Sequence, residues 1–167
     1  MAKRSLSNSG ITPTGTADTV ALLDNTYLGL IQGGSTTQQV KIMEVEMGGL
    51  AGASAPSPMT LARDSTVGGT VVLGTGARDA ALDAATAALA APPVVGNSAT
   101  IDPQRSATLH LMELAFNAFG GIVRWVAAPG EEISIVGNTA SLGEVSLSAF
   151  TGGTTGLMSS HIIYEPL

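Results

Sequence analysis

No cysteine occurs among the 167 residues of the chain. That absence excludes disulfide staples, thiolate nucleophiles and cysteine-ligated zinc. No Asn-X-Ser/Thr acceptor exists and no N-terminal apolar segment reads as a signal peptide, so folding in a reducing cytoplasm is expected. No apolar run reaches the ~18 residues that a membrane-spanning helix requires, and no membrane partner is expected. Aromatic residues make up only 4% of the chain, too few for the stacked platforms of a sugar-cleaving groove. Charge is scarce as well: Asp, Glu, Lys and Arg total 12%, against about 25% in ordinary soluble domains.

Ser, Thr, Gly and Ala must therefore cover most of the surface. Interface cores are depleted in Lys, Glu and Asp, so the low charge favours a subunit whose faces are shared with other copies. The net charge of −6 repels phosphate backbones, and nucleic acid is not an expected partner. Lys3 and Arg4 form the only adjacent basic pair. They read as a solvated chain end or as a small tether.

The length fits one domain with a proper core. Met1 to Asp18, rich in Ser, Thr, Gly and Pro, reads as a flexible arm that orders on contact, followed by a single domain over residues 19–167. The apolar stretch from Thr19 to Ile31 is broken by a turn at Asp24-Asn25. Val40 to Met47 reads as a strand in which Met43, Val45 and Met47 share one face while Val40 and Ile42 share the other. Coverage of both faces, or a bulge, accounts for that conflict. Met59 to Ala62 and Thr70 to Leu73 read as short strands around a turn at Arg63 to Thr66. Asp79 to Ala91 is the one expected helix or loop insertion, alanine-rich and stopped by Pro92-Pro93. Val94 to Ser106 reads as loop. Leu109 to Phe116 and Ile122 to Ala127 flank Gly120-Gly121 and read as a hairpin. Glu132 to Val136 and Met158 to Tyr164 are further strands. The cleanest period-2 segment sets Val145, Leu147 and Ala149 against Glu144, Ser146 and Ser148. Together these predict an all-β fold, an antiparallel β-sandwich of jelly-roll type.

The candidate chemical motifs are weak. Val71 to Gly76 runs like the start of a dinucleotide fingerprint, but Asp79 stands where its third glycine belongs and would repel a pyrophosphate. His110 falls on the face of Met112, Leu114 and Phe116, and reads as packed or interfacial, as a metal role needs His161 and a carboxylate beside it. Arg63-Asp64-Ser65 has no histidine or nucleophile elbow nearby and reads as a turn. Glu131-Glu132 and Glu44/Glu46 are paired carboxylates without a groove. Trp125, the sole tryptophan, reads as core. No catalytic, cofactor-binding or metal-binding set emerges, and the chain reads as non-enzymatic. Arg124 with Glu132 or Glu144 across strands reads as a subunit contact or a surface pair.

The run Phe116 to Glu132 (FNAFGGIVRWVAAPGEE) resembles structural proteins encoded in tailed-phage genomes. So do Gly143 to Ser148, His161 to Leu167, Glu44 to Gly49 and Ala62 to Thr66, together about half of the chain. The resemblance implies a jelly-roll decoration (cement) or minor capsid protein. Such a subunit is often trimeric, sits on the capsid surface of the virion and takes the major capsid protein as partner. Lys3 and Arg4 would then contact acidic capsid groups, and Arg124, Glu132 and Glu144 would lie between subunits. The alternative is a tail, fibre or collar module that binds host glycans.

Overall fold

Alternation along the chain becomes two facing sheets. The structure, a computed structural model, describes residues 3–13, 21–83, 92–137, 143–149 and 156–167, and thirteen strands lie among them. They are β1 (Arg4–Ile11), β2 (Gly29–Gln32), β3 (Gln39–Leu50), β4 (Pro56–Thr66), β5 (Val71–Val72), β6 (Ala77–Ala81) and β7 (Val94–Gly96). The series continues with β8 (Ser98–Ala99), β9 (Gln104–Asn117), β10 (Phe119–Val126), β11 (Ile133–Val136), β12 (Glu144–Ala149) and β13 (Met158–Pro166). No helix occurs among the described residues.

One sheet runs β10-β3-β13-β1-β6, with β11 pairing along the other half of the β3 edge. The other runs β7-β2-β12-β4-β9, and every pairing is antiparallel. The sheets pack face to face as an antiparallel β-sandwich. Leu6, Ile42, Val45, Met47, Ile162 and Tyr164 of the first sheet bury against Leu28, Ile31, Met59, Leu61, Val145 and Leu147. Buried polar groups are bonded across this interface: Asn8 Nδ2 and Ser160 Oγ both donate to the Leu28 carbonyl, each at 2.6 Å.

The conflicting faces of β3 are resolved by a bulge. Ile163 pairs with Glu44 and Tyr164 with Ile42, so Met43 is the extra residue. Val40, Ile42, Val45 and Met47 all become fully buried on one face. Pro56 and Pro58 sit in β4 where only β9 pairs with it; β12 joins at Met59, so their missing N–H groups leave no ladder position empty.

Several expectations are corrected. Arg4–Ile11 is not a flexible arm but a strand hydrogen-bonded between β13 and β6, with Leu6 and Ile11 in the core; residues 1–2 and 14–18 of the expected arm lie outside the described residues. The helix expected from Asp79 to Ala91 begins as strand β6, whose partner is β1, and residues 84–91 lie outside the described residues. Arg63 to Thr66 continues β4 and is no turn, and the segment from Val94 to Ser106 holds β7, β8 and the start of β9. The hairpin around Gly120-Gly121 does not form. β9 pairs with β4 and β10 with β3, in different sheets, because Ala118 is buried between them and donates its N–H to Ala55.

A third, thin layer lies on the outer side of the β2-β12-β4 sheet. β5 pairs with β8, and Thr100 and Ile101 extend the pairing to Thr70 and Gly68. Beneath it Leu22, Tyr27, Leu30, Val71 and Ala99 form a second, smaller core.

Candidate functional site

The covering layer hides a polar row. Pairing places Glu144 opposite Gln32, and Asp64 opposite Arg105. Val145 opposite Arg63 then sets Glu144 beside Asp64. Gln32, Glu144, Asp64 and Arg105 thus cross four neighbouring strands in one line, and all four are buried. Both oxygens of Glu144 accept the Gly68 N–H, at 2.9 and 3.1 Å, and Oε2 also accepts Gln32 Nε2. Asp64 Oδ1 accepts Ser146 Oγ at 2.6 Å, and Arg105 donates to Ser148 Oγ at 2.8 Å.

Burial, followed by the charge of Glu144, pushes the Asp64 carboxyl up to about 9. Burial also raises Glu144, against the donors Gln32, Asp64 and Gly68. Burial and the surrounding carboxylates raise the nearby Tyr27 phenol, which stays neutral. Sequence reasoning missed this row. Its one signal was two acidic residues inside strand-like segments of a chain that has few charges.

Glu144 is therefore corrected from a candidate subunit contact to a fully buried group of the fold. It does not meet Arg124, and neither does Glu132. Arg124 Nε lies 2.6 Å from Glu44 Oε1 and 4.0 Å from Glu46 Oε2, across the β10–β3 pair. The Arg124 hydrogen bond lowers Glu44. Glu132 faces Lys41 at 3.6 Å and accepts the Gly130 N–H, which lowers its pKa. Arg4 is not a free cation either. It bonds Asp79 at 2.5 Å, which raises Arg4, and Tyr164 Oη donates to the same carboxylate at 2.7 Å. The Lys3 backbone N–H donates to Asp83.

His110 leaves the face of Met112 and Leu114 because a bulge falls between its position and theirs. It stands opposite Ala62 and bonds Glu113 at 3.0 Å. His161 lies on the other sheet, in a shallow depression of about 150 Å³ shared with Glu46, Gly48, Ile122 and Ser159. The glycines after β5 form a turn whose N–H groups are held by Asn97 and Asn25, and Asp79 is turned to Arg4.

The remaining feature is the flank where β9 and β10, the edge strands of their sheets, run side by side from Ala118. Met112, Leu114 and Phe116 of β9 and Val123 and Trp125 of β10 pack against the core yet stay half-exposed. Phe119 is 58% exposed and Ile122 70%. No known protein family matches the chain, and no curated protein matches it.

Proposed function

We propose that the chain is a virion structural protein, a decoration (cement) subunit of jelly-roll type. It self-associates as a trimer and bridges capsomers of the major capsid protein on a tailed-phage shell. The observation that carries this reading is the β9–β10 flank, where the inward-facing residues of a sandwich are left half-uncovered. A long, apolar edge strand is a liability that proteins cover or charge, and β9 carries few charges along its length. Its 14 residues, at ~3.3 Å each with sheets ~10 Å apart, give a strip of about 500 Å² before side-chain relief. That is of the order of the ~800 Å² per partner that a specific interface buries. A second copy of the chain is the occupant that the reading commits to.

Among the described residues the charged side chains of Asp64, Arg105 and Glu144 are buried within the subunit, so the surface is poorer in charge than the composition implies. That favours shared faces. The glycan-binding alternative asks for an exposed aromatic beside a polar cleft. The residues lining the depression at His161 include no aromatic, and Trp125 packs against the core.

The test is the native mass of the full chain at micromolar concentration, with and without Leu114→Arg. The expected result is a species of three 16.7 kDa subunits that the substitution converts to a folded monomer. A monomeric unsubstituted chain would overturn the self-association. Failure of the trimer to cosediment with shells of the major capsid protein encoded in the same genome would overturn the capsid role.

A further inference from the structure

The buried row on the outer side of the β2-β12-β4 sheet carries formal charges that do not balance. Asp64 and Glu144 would supply two negative charges, Arg105 one positive, and Gln32 none. Among the described residues, Tyr27, Asp24 and Asp102 also lie near the row, and none of them adds a positive charge. Leaving an uncompensated charge in a site of this burial is costly, and the usual resolution is uptake of a proton.

Bonding shows which carboxyl takes it. Both Glu144 oxygens receive donors, from Gly68 N–H and Gln32 Nε2, the arrangement of a carboxylate. Asp64 accepts from Ser146 at Oδ1 alone, Oδ2 accepts from no donor among the described residues, and the Asp64 carboxyl is the donor turned toward Glu144. An acid proton on Oδ2 makes the row neutral overall, with Asp64 uncharged, Glu144 negative and Arg105 positive.

The row is also joined to the covering layer. Gly68 stands just before β5, its N–H bonds Glu144, and its carbonyl accepts from Ile101 after β8. A Cβ at Gly68 would meet Ala99 at 2.8 Å and Glu144 at 3.3 Å, so the layer sits tightly on the carboxylate.

We propose that Asp64 and Glu144 share one proton and act as a clasp that closes residues 66–72 and 97–101 over the sheet, and that loss of this proton in alkali opens the layer. With Asp64 ionised, two carboxylates face a single guanidinium in a buried row. Repulsion is relieved by letting water in, and the cheapest entry is the thin β5–β8 layer. Opening it exposes Tyr27, Leu30 and Val71 while leaving the main core shut.

Amide exchange of the full chain, corrected for intrinsic base catalysis and compared at about pH 7 and about pH 10, reads this directly. Protection in residues 66–72 and 97–101 is expected to fall roughly tenfold or more at the higher pH, while β3 and β13 keep theirs. Asp64→Asn and Glu144→Gln each remove one of the two acids, and each is expected to abolish the pH dependence. Equal protection at both pH values in the unsubstituted chain, or the same loss in both variants, would overturn the clasp. Infrared spectroscopy of the unsubstituted protein decides the matter even where the variants fail to fold. A buried protonated-carboxyl band is expected near neutral pH and should vanish in alkali, and its absence near neutral pH would overturn the proposal.

Discussion

Arg105 is 1% exposed at the β9 end of the polar row, where among the described residues it is the one positive charge beside two acids. Removing one partner from a buried ionic group leaves the rest uncompensated, which costs about 3–5 kcal/mol, more than the pair itself contributes. Arg105→Leu should therefore destabilise the chain by that amount in urea titration, and a change under about 1 kcal/mol would show that the row is solvated. Arg105, Asp64 and Glu144 were not legible as a set. They are separated by up to 80 positions in the chain and meet only through strand register, which no local pattern encodes. Glu144 shows the difficulty most plainly. Its place in an alternating segment marks it as outward-facing, and it does face outward from the sandwich, but a third layer lies over that side. Alternation reports the face of a sheet and not what covers it.

At the scale of elements, the strands that carry strong apolar patterns were legible and the polar ones were not. β3, β12 and β13 follow their residues, and even the bulge at Met43 left its trace as a switch of face. β1 has only Leu6 and Ile11 as large apolar residues, and its inward Asn8 donates through Nδ2 to a carbonyl from the opposite sheet. Nothing in Arg4 to Ile11 announces that partner, so the segment reads as an arm. The β9–β10 connection failed for another reason: two strands joined by a short turn pair with each other or with strands already in place, and pattern alone does not choose. Here the close approach of Ala118 to Gly49 sets the choice, since a Cβ at Gly49 would lie 2.2 Å from the Ala118 backbone. The consequence for β1 is testable. Removing residues 1–11 takes a strand from between β13 and β6 and two aliphatic side chains from the core. Each such side chain is worth about 2–5 kcal/mol, against a total stability of 5–15 kcal/mol for a typical domain. The truncated chain should lose its cooperative thermal transition in circular dichroism. A native-like melt would return Arg4–Ile11 to the role of a dispensable arm.

For the molecule as a whole, the shifted carboxyls divide into two sets with opposite effects on stability. Glu44, bonded to Arg124, and Glu132, bonded to the Gly130 N–H, are lowered from 4.5. Their contribution is present above that value and is lost as pH falls through the lowered values of the folded state, when the native carboxylates take up protons. Both are near the surface, so this arm of the profile is shallow and is weakened by salt. Asp64 and Glu144 run the other way. Between 3.8, the ordinary value of Asp64, and about 9 the folded chain holds a proton that the unfolded chain has released. Stability is then fully present below 3.8 and declines as pH rises, at up to about 1.4 kcal/mol per pH unit for one proton. The midpoint of urea unfolding should thus be highest in mild acid and fall steadily into alkali, and Asp64→Asn should flatten the alkaline side while leaving the acid side unchanged. The proposed oligomerisation would add a concentration-dependent term, so the titration is best made at one protein concentration and repeated with Leu114→Arg. The alkaline decline should persist in that variant, because the polar row lies within one chain; a decline that disappears with the substitution would move its origin from the row to the proposed interface between copies.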